Sequence, residues 1–293
     1  MIVKKFLAVL VCMCSLAGSA SAGLILTGND PAHIALGSQF GAVGWVEGTN
    51  SSNQAAFRQS NTLINPNWSV ASRHGVLEND ADGNSLYSNI RVGFGGNYIN
   101  NQGENRLVSN VFLHPTKDIA LFKFDIAFTS VTPMDRHTGF VTNGTEGYTV
   151  GLGRLQFRND PASTFTGDRR AGFDVVDGVN PFETENFSTT FNASSSPNRR
   201  PLEMGTRSGD SGGAFILGNS LLPTNFLAGI IDSGTFSNSF GTESYYTRLD
   251  NEWIDLTIAA NTTAVPEPTS IILFSTGIGI VIRRARKKSK VKC

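Results

Sequence analysis

The chain has 293 residues, of which 40% are hydrophobic and 31 are glycine, a composition typical of one globular core with many turns. The 24 basic and 24 acidic residues balance, but nine basic residues and only one acid, Glu267, lie in the terminal segments 1–22 and 264–293. The remainder has 15 basic and 23 acidic residues, a net charge of −8. This charge argues against nucleic acid as a partner, because phosphate binding requires a basic face.

The first 22 residues are predicted to be a signal peptide. The charged start "MIVKK" is followed by the apolar run "FLAVLVCMCSLAG" and by "SASA", a small-residue cleavage site after Ala22. We therefore expect an exported protein whose mature chain begins at Gly23. Two cysteines lie in this leader and the third is the last residue, so no disulfide is predicted in the domain.

Residues 23–260 are predicted to form one all-β domain, a sandwich or a barrel. Short segments rich in β-branched and aromatic residues alternate with Gly, Asn, Asp and Ser. Residues 159–208 are polar and irregular, and we expect long surface loops there. Near the end, the apolar spacing in "YYTRLDNEWIDLTIAA" predicts one C-terminal helix packed on the sheet. The predicted strands include "FGAVGWVEG", "TLINPNWSVASRHGV", "SNIRVGFGG", "RLVSNVFLH", "DIALFKFD", "GYTVGLGRLQF", "GAFIL" and "FLAGIIDSG".

The C-terminal segment 264–293 has three parts in a fixed order: "VPEP", the uncharged run Thr269–Ile282, and a basic end. The run is short for a membrane span, which needs about 20 residues, so a plain C-terminal anchor is one interpretation. The order of the three parts resembles the PEP-CTERM sorting signal of Gram-negative bacteria. That resemblance implies a sorting motif at Pro266, Glu267 and Pro268, an exosortase-type processing enzyme as partner, transient membrane tethering through a short transmembrane segment, and a final location at the cell surface or outside the cell.

The stretch "GDSGG" contains the candidate nucleophile Ser211. It fits both the nucleophile elbow of α/β-hydrolases and the nucleophile loop of chymotrypsin-like proteases. The elbow enzymes need a histidine after the serine, but all four histidines precede Ser211. The subtilisin order needs an aspartate before the histidine, and before His74 only Asp30 is present, in a turn-like "GNDP". The order histidine, aspartate, serine remains.

His74 and Asp118 are the candidates for the other two positions. His74 follows a predicted strand, and Asp118 begins the apolar strand "DIALFKF", where its carboxylate can be partly buried. Over residues 40–256 the chain resembles the trypsin and chymotrypsin relatives, which implies a double β-barrel. The motifs that carry the resemblance are "WSVASRHG", "DIALFKF", "GDSGGAFI", "LAGIIDSG" and "YYTRLDNEWI".

The resemblance implies a serine endopeptidase that cleaves a polypeptide substrate through His74, Asp118 and Ser211. The backbone N–H groups of Gly209 and Ser211 would form the oxyanion hole. Gly212 and Gly213 would leave room beneath the substrate. A catalytically inactive binding module and an esterase on the same fold remain alternatives.

Four further positions would form the substrate pocket: Gly205 at its floor, Thr206, Gly234 and Ser244. Because the floor carries no acid, we expect a preference for apolar side chains over Arg or Lys.

Other positions depart from the family pattern. Asp210 would pair with a freed α-amino group or another cation, although the usual "IVGG" start is missing. Gly75 and Arg207 stand where the family has cysteines. Asp232 stands where the family has a serine beside the catalytic aspartate, so either it points away or the register is shifted by one residue.

The remaining histidines, His33, His114 and His137, have no paired ligand spacing and are interpreted as structural. We therefore predict no metal and no cofactor.

Overall fold

The computed structural model describes residues 23–262 except for residues 27, 51, 53, 79–84, 101, 180–184, 220–221 and 236. The predicted signal peptide and the predicted sorting segment lie outside the described residues. Within the described part of the chain, no helix is both long enough and apolar enough to cross a membrane. The proposed span at Thr269–Ile282 therefore stays a prediction.

The domain consists almost entirely of short strands. The first eight are β1 (Leu24–Ile25), β2 (Val43–Thr49), β3 (Ala55–Asn65), β4 (Trp68–Ala71), β5 (Ser88–Phe94), β6 (Glu104–Leu107), β7 (Asn110–Leu113) and β8 (Ala120–Lys123). The others are β9 (Asp135–Arg136), β10 (Glu146–Gly151), β11 (Leu155–Phe157), β12 (Ser163–Thr164), β13 (Arg170–Val179), β14 (Asn186–Phe191), β15 (Ala214–Gly218), β16 (Pro223–Gly234) and β17 (Thr242–Arg248). The helices are α1 (Asp30–Gly37), a 3₁₀ helix (His74–Val76) and α2 (Asn251–Asn261).

The strands form two seven-stranded sheets and a small third sheet. The first sheet has the order β6-β5-β2-β3-β4-β8-β7 and is antiparallel throughout. The second has the order β15-β10-β13-β14-β17-β16-β9, and an additional pairing of β15 with β16 closes it into a barrel. The third contains β1, β11 and β12. This architecture confirms the predicted all-β double barrel with a C-terminal helix.

Each barrel is held by the inward-facing residues of its strands. In the second barrel Phe187 stacks on Tyr246 with ring centroids 5.0 Å apart, and Phe215 packs edge-on against Phe187 at 5.2 Å. Burying one such ring contributes about 2 to 3 kcal/mol. The surrounding buried cluster contains Val141, Val176, Phe187, Phe215, Ala228, Ile231 and Tyr246.

The prediction of long loops over residues 159–208 is wrong for β13 and β14, which lie in the middle of the second sheet. The sequence of β13 reads as polar because it contains Arg170 and Asp174, which are both buried. Arg170 forms an ion pair with Asp30 at 2.5 Å, and Asp174 accepts a hydrogen bond from the Thr149 hydroxyl. Burial of these two groups is tolerated because each has a hydrogen-bond partner, which a sequence pattern does not reveal.

The turn interpretation of "GNDP" is also wrong, because α1 begins at Asp30 with proline in its first turn. Proline is favoured there since the first N–H groups of a helix have no partner within it. The helix α2 is present as predicted, and Ile254 is its buried residue. From Glu252 onward it belongs to a separate unit of the chain, and its packing on the sheet stays a prediction.

Candidate active site

His74 is positioned by the hairpin of β3 and β4. The turn between these strands is formed by Asn65, whose side-chain oxygen accepts a hydrogen bond from the N–H of Asn67 at 3.1 Å. After β4, the Ser72 hydroxyl donates to the carbonyl of Ile231 at 2.8 Å and ties the chain to the second barrel. The 3₁₀ helix then begins at His74, so its imidazole lies at the junction of the two barrels.

Asp118 is positioned by a turn that His114 organises. The buried His114 accepts hydrogen bonds at Nδ1 from the N–H groups of Thr116 (3.1 Å) and Lys117 (2.9 Å). Its Nε2, which must carry the proton, lies 3.3 Å from a carboxylate oxygen of Asp250. Sequence reasoning interpreted His114 only as structural and missed Asp250, although the spacing "HPTKD" places such a turn immediately before the candidate aspartate.

Ser211 lies on a loop of the second barrel that is anchored to the first. The Gly209 carbonyl accepts two hydrogen bonds from Ser60, from its N–H at 2.9 Å and from its hydroxyl at 3.0 Å. The Thr62 hydroxyl donates to the Gly212 carbonyl at 3.3 Å. Both flanks of Ser211 are therefore fixed by strand β3, and sequence reasoning did not identify these contacts.

Two glycines permit this close approach. Gly209 and Gly212 have φ values of +92° and +79°, which side chains rarely adopt. A Cβ on Gly212 would lie 2.3 Å from the Ser60 carbonyl oxygen, and one on Gly213 would lie 2.3 Å from the carbonyl oxygen of Val150. A Cβ at either position would thus meet the protein's own backbone, and the expectation that Gly212 and Gly213 leave room beneath the substrate stays a prediction.

His74, Asp118 and Ser211 lie in one hydrogen-bonded chain. The His74 backbone N–H donates to Asp118 Oδ1 at 2.7 Å, and its Nδ1 lies 2.6 Å from Oδ2. Its Nε2 lies 3.1 Å from Ser211 Oγ. The Oγ also lies 3.3 Å from the carbonyl oxygen of Asp232, so its single proton has two possible acceptors. With Nδ1–H donated to Asp118, the neutral imidazole presents a lone pair at Nε2 toward the hydroxyl.

The residues of this hydrogen-bonded chain shift each other's pKa values. Burial lowers the pKa of His74, but the hydrogen bond and charge of Asp118, with the charge of Asp232, raise it above the usual value. Burial raises the pKa of Asp118, but its hydrogen bonds with His74 lower it overall. Asp118 is therefore held as a carboxylate and His74 is a stronger base than a free imidazole.

Asp232 does not point away from the site, so that alternative is wrong. Its Oδ1 lies 4.0 Å from His74 Nδ1. Burial and the neighbouring Asp118 raise the pKa of Asp232 to about 6. A second carboxyl group therefore lies beside the candidate aspartate.

Among the residues that the structure describes, His74, Asp118 and Asp232 form a group whose potential metal-binding atoms lie within 4.8 Å of one another. The His74 nitrogens, however, face Asp118 and Ser211. We therefore interpret the group as a hydrogen-bonded cluster and assign no metal to it.

The other two histidines lie elsewhere. His33 is buried and its Nδ1 is 2.8 Å from the carbonyl oxygen of Ala171. Burial lowers the pKa of His33, which keeps it neutral. The backbone N–H of His137 donates to Leu227 at 2.8 Å.

Asp210 is buried beneath the loop and accepts three backbone hydrogen bonds. Its Oδ2 receives the N–H of Gly23 at 2.8 Å and that of Arg207 at 2.9 Å, and its Oδ1 receives that of Gly153 at 3.1 Å. Burial nevertheless raises the pKa of Asp210 to about 6. The predicted first residue of the mature chain thus lies at the carboxylate expected to bind it.

Three of the four predicted pocket residues lie together. The Thr206 N–H donates to the Ser244 hydroxyl at 2.9 Å, and Gly234 is the register partner of Ser244. Gly205 instead exchanges two backbone hydrogen bonds with Leu24, at 2.6 and 3.0 Å. None of these residues is acidic, so the prediction of an uncharged pocket stands as a prediction.

Polar side chains occupy the positions at which the family has cysteines. The Arg207 guanidinium is buried and donates to Gln156 Oε1 at 2.7 Å, to the Thr206 carbonyl at 2.9 Å and to the Ser237 carbonyl. Burial lowers the pKa of Arg207 to about 10, so it stays charged. At Gly75 the space of a Cβ is filled by the side chain of Gln59.

No protein-family model matches the chain, and no curated protein matches it in sequence. The solved structures place it in a class by fold: it is a chymotrypsin-like double β-barrel. The structure described as "Structure of GrC", granzyme C, is similar with a TM-score of 0.58 and 16% identity, over 76% of this chain and 96% of that chain. At this identity the likeness shows the fold alone.

Proposed function

We propose that the protein is an exported serine endopeptidase of the trypsin-like type. The observation that carries the proposal is the hydrogen-bonded chain from Asp118 through His74 to Ser211. It combines a held carboxylate, an imidazole of raised basicity and a hydroxyl within 3.1 Å of Nε2. This combination is what acyl transfer by a serine nucleophile requires.

In the proposed reaction, Ser211 Oγ forms a bond to the peptide carbonyl carbon while its proton moves to His74 Nε2. Asp118 stabilises the resulting imidazolium. The proton then passes to the departing amine nitrogen as the C–N bond breaks, leaving an ester on Ser211. A water molecule repeats the sequence and releases the acid.

The backbone N–H groups of Gly209 and Ser211 would stabilise the oxyanion of the tetrahedral intermediate. The anchoring of the Gly209 carbonyl to Ser60 supports this role, because donors that are already fixed need no reorganisation during the reaction. Loss of one such donor typically costs about 3 kcal/mol of transition-state stabilisation.

The proposed substrate is a polypeptide with an apolar side chain at the cleaved bond. Thr206, Gly234 and Ser244 supply hydroxyl groups and small residues but no carboxylate. A cationic side chain would therefore lose its hydration without gaining a counter-ion.

Export would also prepare the site. Cleavage after Ala22 would convert the Gly23 N–H into an α-ammonium group at the position where it already donates to Asp210. The added positive charge would lower the pKa of Asp210 and stabilise the nucleophile loop. Removal of the leader would then replace a separate zymogen cleavage.

At the other end, the sorting motif at Pro266–Pro268 would direct the chain to an exosortase-type enzyme and the cell surface.

The test is active-site labelling of the secreted protein with a fluorophosphonate probe, followed by mass determination of both termini. We expect labelling of the wild type and none of Ser211→Ala, with a mature chain that begins at Gly23. Failure of the wild type to react would favour an inactive binding module. Labelling only after a cut downstream of Gly23 would contradict activation by leader removal, and turnover of esters but not peptides would indicate an esterase.

A further inference from the structure

Asp250 follows a strand of the second barrel but contacts the turn of the first barrel that carries Asp118. It lies between β17 and α2. One of its carboxylate oxygens, Oδ2, lies 3.3 Å from His114 Nε2 and 3.3 Å from Lys117 Nζ. The side chain of Asp250 is 28% exposed, whereas that of His114 is only 6% exposed. A single carboxylate oxygen thus bridges two residues of the turn.

The turn from His114 to Ile119 is closed around Asp118 by backbone and side-chain bonds. The His114 N–H donates to the Ile119 carbonyl at 2.9 Å, and the Ile119 N–H donates to the Lys117 carbonyl at 2.8 Å. Inside the turn, His114 Nδ1 accepts the N–H groups of Thr116 and Lys117. These bonds fix the backbone on either side of Asp118 and hence the direction of its carboxylate.

The same turn is tied to the residue that precedes His74. Arg73 Nη1 donates to the His114 carbonyl at 3.1 Å and to the Pro115 carbonyl at 3.3 Å. Asp118 in turn accepts the backbone N–H of His74 at 2.7 Å, and its Oδ2 lies 2.6 Å from the Nδ1 of that imidazole. The conformation of the turn therefore sets how the carboxylate of Asp118 meets His74.

The tautomer of His114 decides whether the turn can close. A ring nitrogen that accepts two N–H groups carries no proton, so the proton of this imidazole is on Nε2. With a proton on Nδ1, a donor would face the N–H groups of Thr116 and Lys117, and both hydrogen bonds would be lost. A carboxylate 3.3 Å from Nε2 favours the tautomer that has its proton there. Asp250 therefore selects the form of His114 that the turn requires.

We propose that Asp250 is a positioning residue, which holds the proton of His114 on Nε2 and thereby closes the turn that directs Asp118 at His74. The proposal rests on the proposed protease function, because it concerns Asp118 as the partner of the general base. Asp250 and His114 act only through Asp118. A second histidine–aspartate pair, built from both barrels, thus supports the first.

The proposal predicts a change in the basicity of His74 when Asp250 is removed. The hydrogen bond and charge of Asp118, with the charge of Asp232, raise the pKa of His74. If the turn opens, Asp118 no longer meets Nδ1 at 2.6 Å and its effect on this pKa weakens. The pKa of His74 should then fall, and the maximal rate should fall because the base is weaker and less well oriented. A contact that served stability alone would change neither quantity.

The test measures the rate of fluorophosphonate labelling from pH 5 to 9, in which the midpoint of the acidic limb reports the pKa of His74. Asp250→Ala removes the carboxylate, and Asp250→Asn keeps an acceptor for Nε2–H. The control is Glu185→Gln, which removes the other ion pair of Lys117, at 3.5 Å, on a side chain that is 57% exposed. Thermal unfolding verifies that each variant is folded.

A second pair of variants separates the two nitrogens of His114. In His114→Asn the amide oxygen is bonded to the same carbon as Nδ1, so it can accept the two N–H groups of the turn without any tautomer to select. In His114→Gln the amide lies farther out, at the place of Nε2, and the inner acceptor is lost. The double variant His114→Asn/Asp250→Ala then measures whether Asp250 acts through His114.

We expect Asp250→Ala to label about tenfold more slowly than the wild type, with the acidic midpoint moved to lower pH. Asp250→Asn and His114→Asn should label within about threefold of the wild type, and His114→Gln should be about tenfold slower. Adding Asp250→Ala to His114→Asn should cause no further loss. Glu185→Gln should match the wild type in both rate and midpoint.

An Asp250→Ala variant with the wild-type rate and midpoint would overturn the proposal, as would a tenfold loss that persists in the His114→Asn background. If Asp250→Ala does not fold, the two His114 variants decide, and equal rates for His114→Asn and His114→Gln would overturn it. These outcomes leave the protease function intact, because they presuppose labelling that depends on Ser211. Absence of labelling in the wild type would instead overturn the proposed function and, with it, this proposal.

Discussion

The two barrels contribute to the site in different ways. The first supplies His74 and Asp118, whose side chains are 50% and 21% exposed. The second supplies Ser211 on a loop supported by Asp210 and Arg207, which are 1% and 2% exposed. The acid–base pair can thus exchange protons with solvent, while the nucleophile is fixed by charges that solvent does not reach. Substitutions in the first barrel should affect reactivity, and those beneath the loop should affect stability as well.

The largest effect is expected for His74→Ala. The variant removes the imidazole that lies 3.1 Å from Ser211 Oγ and would accept its proton, so kcat should fall by about 10⁴-fold or more. Because the imidazole is half exposed, the melting temperature should change by less than about 2 °C. Peptide turnover and thermal unfolding measure the two quantities. His137→Ala is the matched control, and equal losses in both variants would contradict the separation of reactivity from stability.

A smaller effect, measured in the free energy of unfolding and not in turnover, is expected for Asp210→Ala. Three buried N–H groups, from Gly23, Gly153 and Arg207, lose their acceptor. The loss of a buried carboxylate offsets part of this cost, which leaves about 3 kcal/mol of destabilisation. Denaturant unfolding measures the difference in the free energy of unfolding between the variant and the wild type. Asp135→Ala, at an exposed edge, should change the free energy of unfolding by less than about 0.5 kcal/mol. If Asp210→Ala is as stable as this control, the loop does not depend on Asp210.

The smallest effect is expected for Arg207→Met, which keeps the length of the side chain and removes its donors. The acceptors on Gln156, Thr206 and Ser237 would be left without the guanidinium, at a cost of about 2 kcal/mol in the free energy of unfolding. Turnover should fall only a few-fold, because Arg207 does not touch the reacting atoms. An unchanged midpoint of unfolding would show that the hydrogen bonds of Arg207 do not stabilise the fold.

Many elements follow from local patterns. The strands β2, β4, β5 and β8 and the helix α2 lie where short-range alternation or helical spacing predicts them. The exceptions include β13 and α1, whose sequences contain the charged residues Arg170 and Asp30 that are paired only in the folded chain. Arg170 pairs with Asp30, which is 140 residues away in the sequence, and no local pattern predicts that contact.

The sequence by itself determined the class of fold and the identity of three candidate residues, because their order along the chain and their flanking motifs are local information. Only the tertiary structure decided how they are held. The contact of His114 with Asp250 and the anchoring of Gly209 by Ser60 join residues 136 and 149 positions apart in the sequence. Distance between atoms and exclusion of water set these interactions, and both arise when the chain folds.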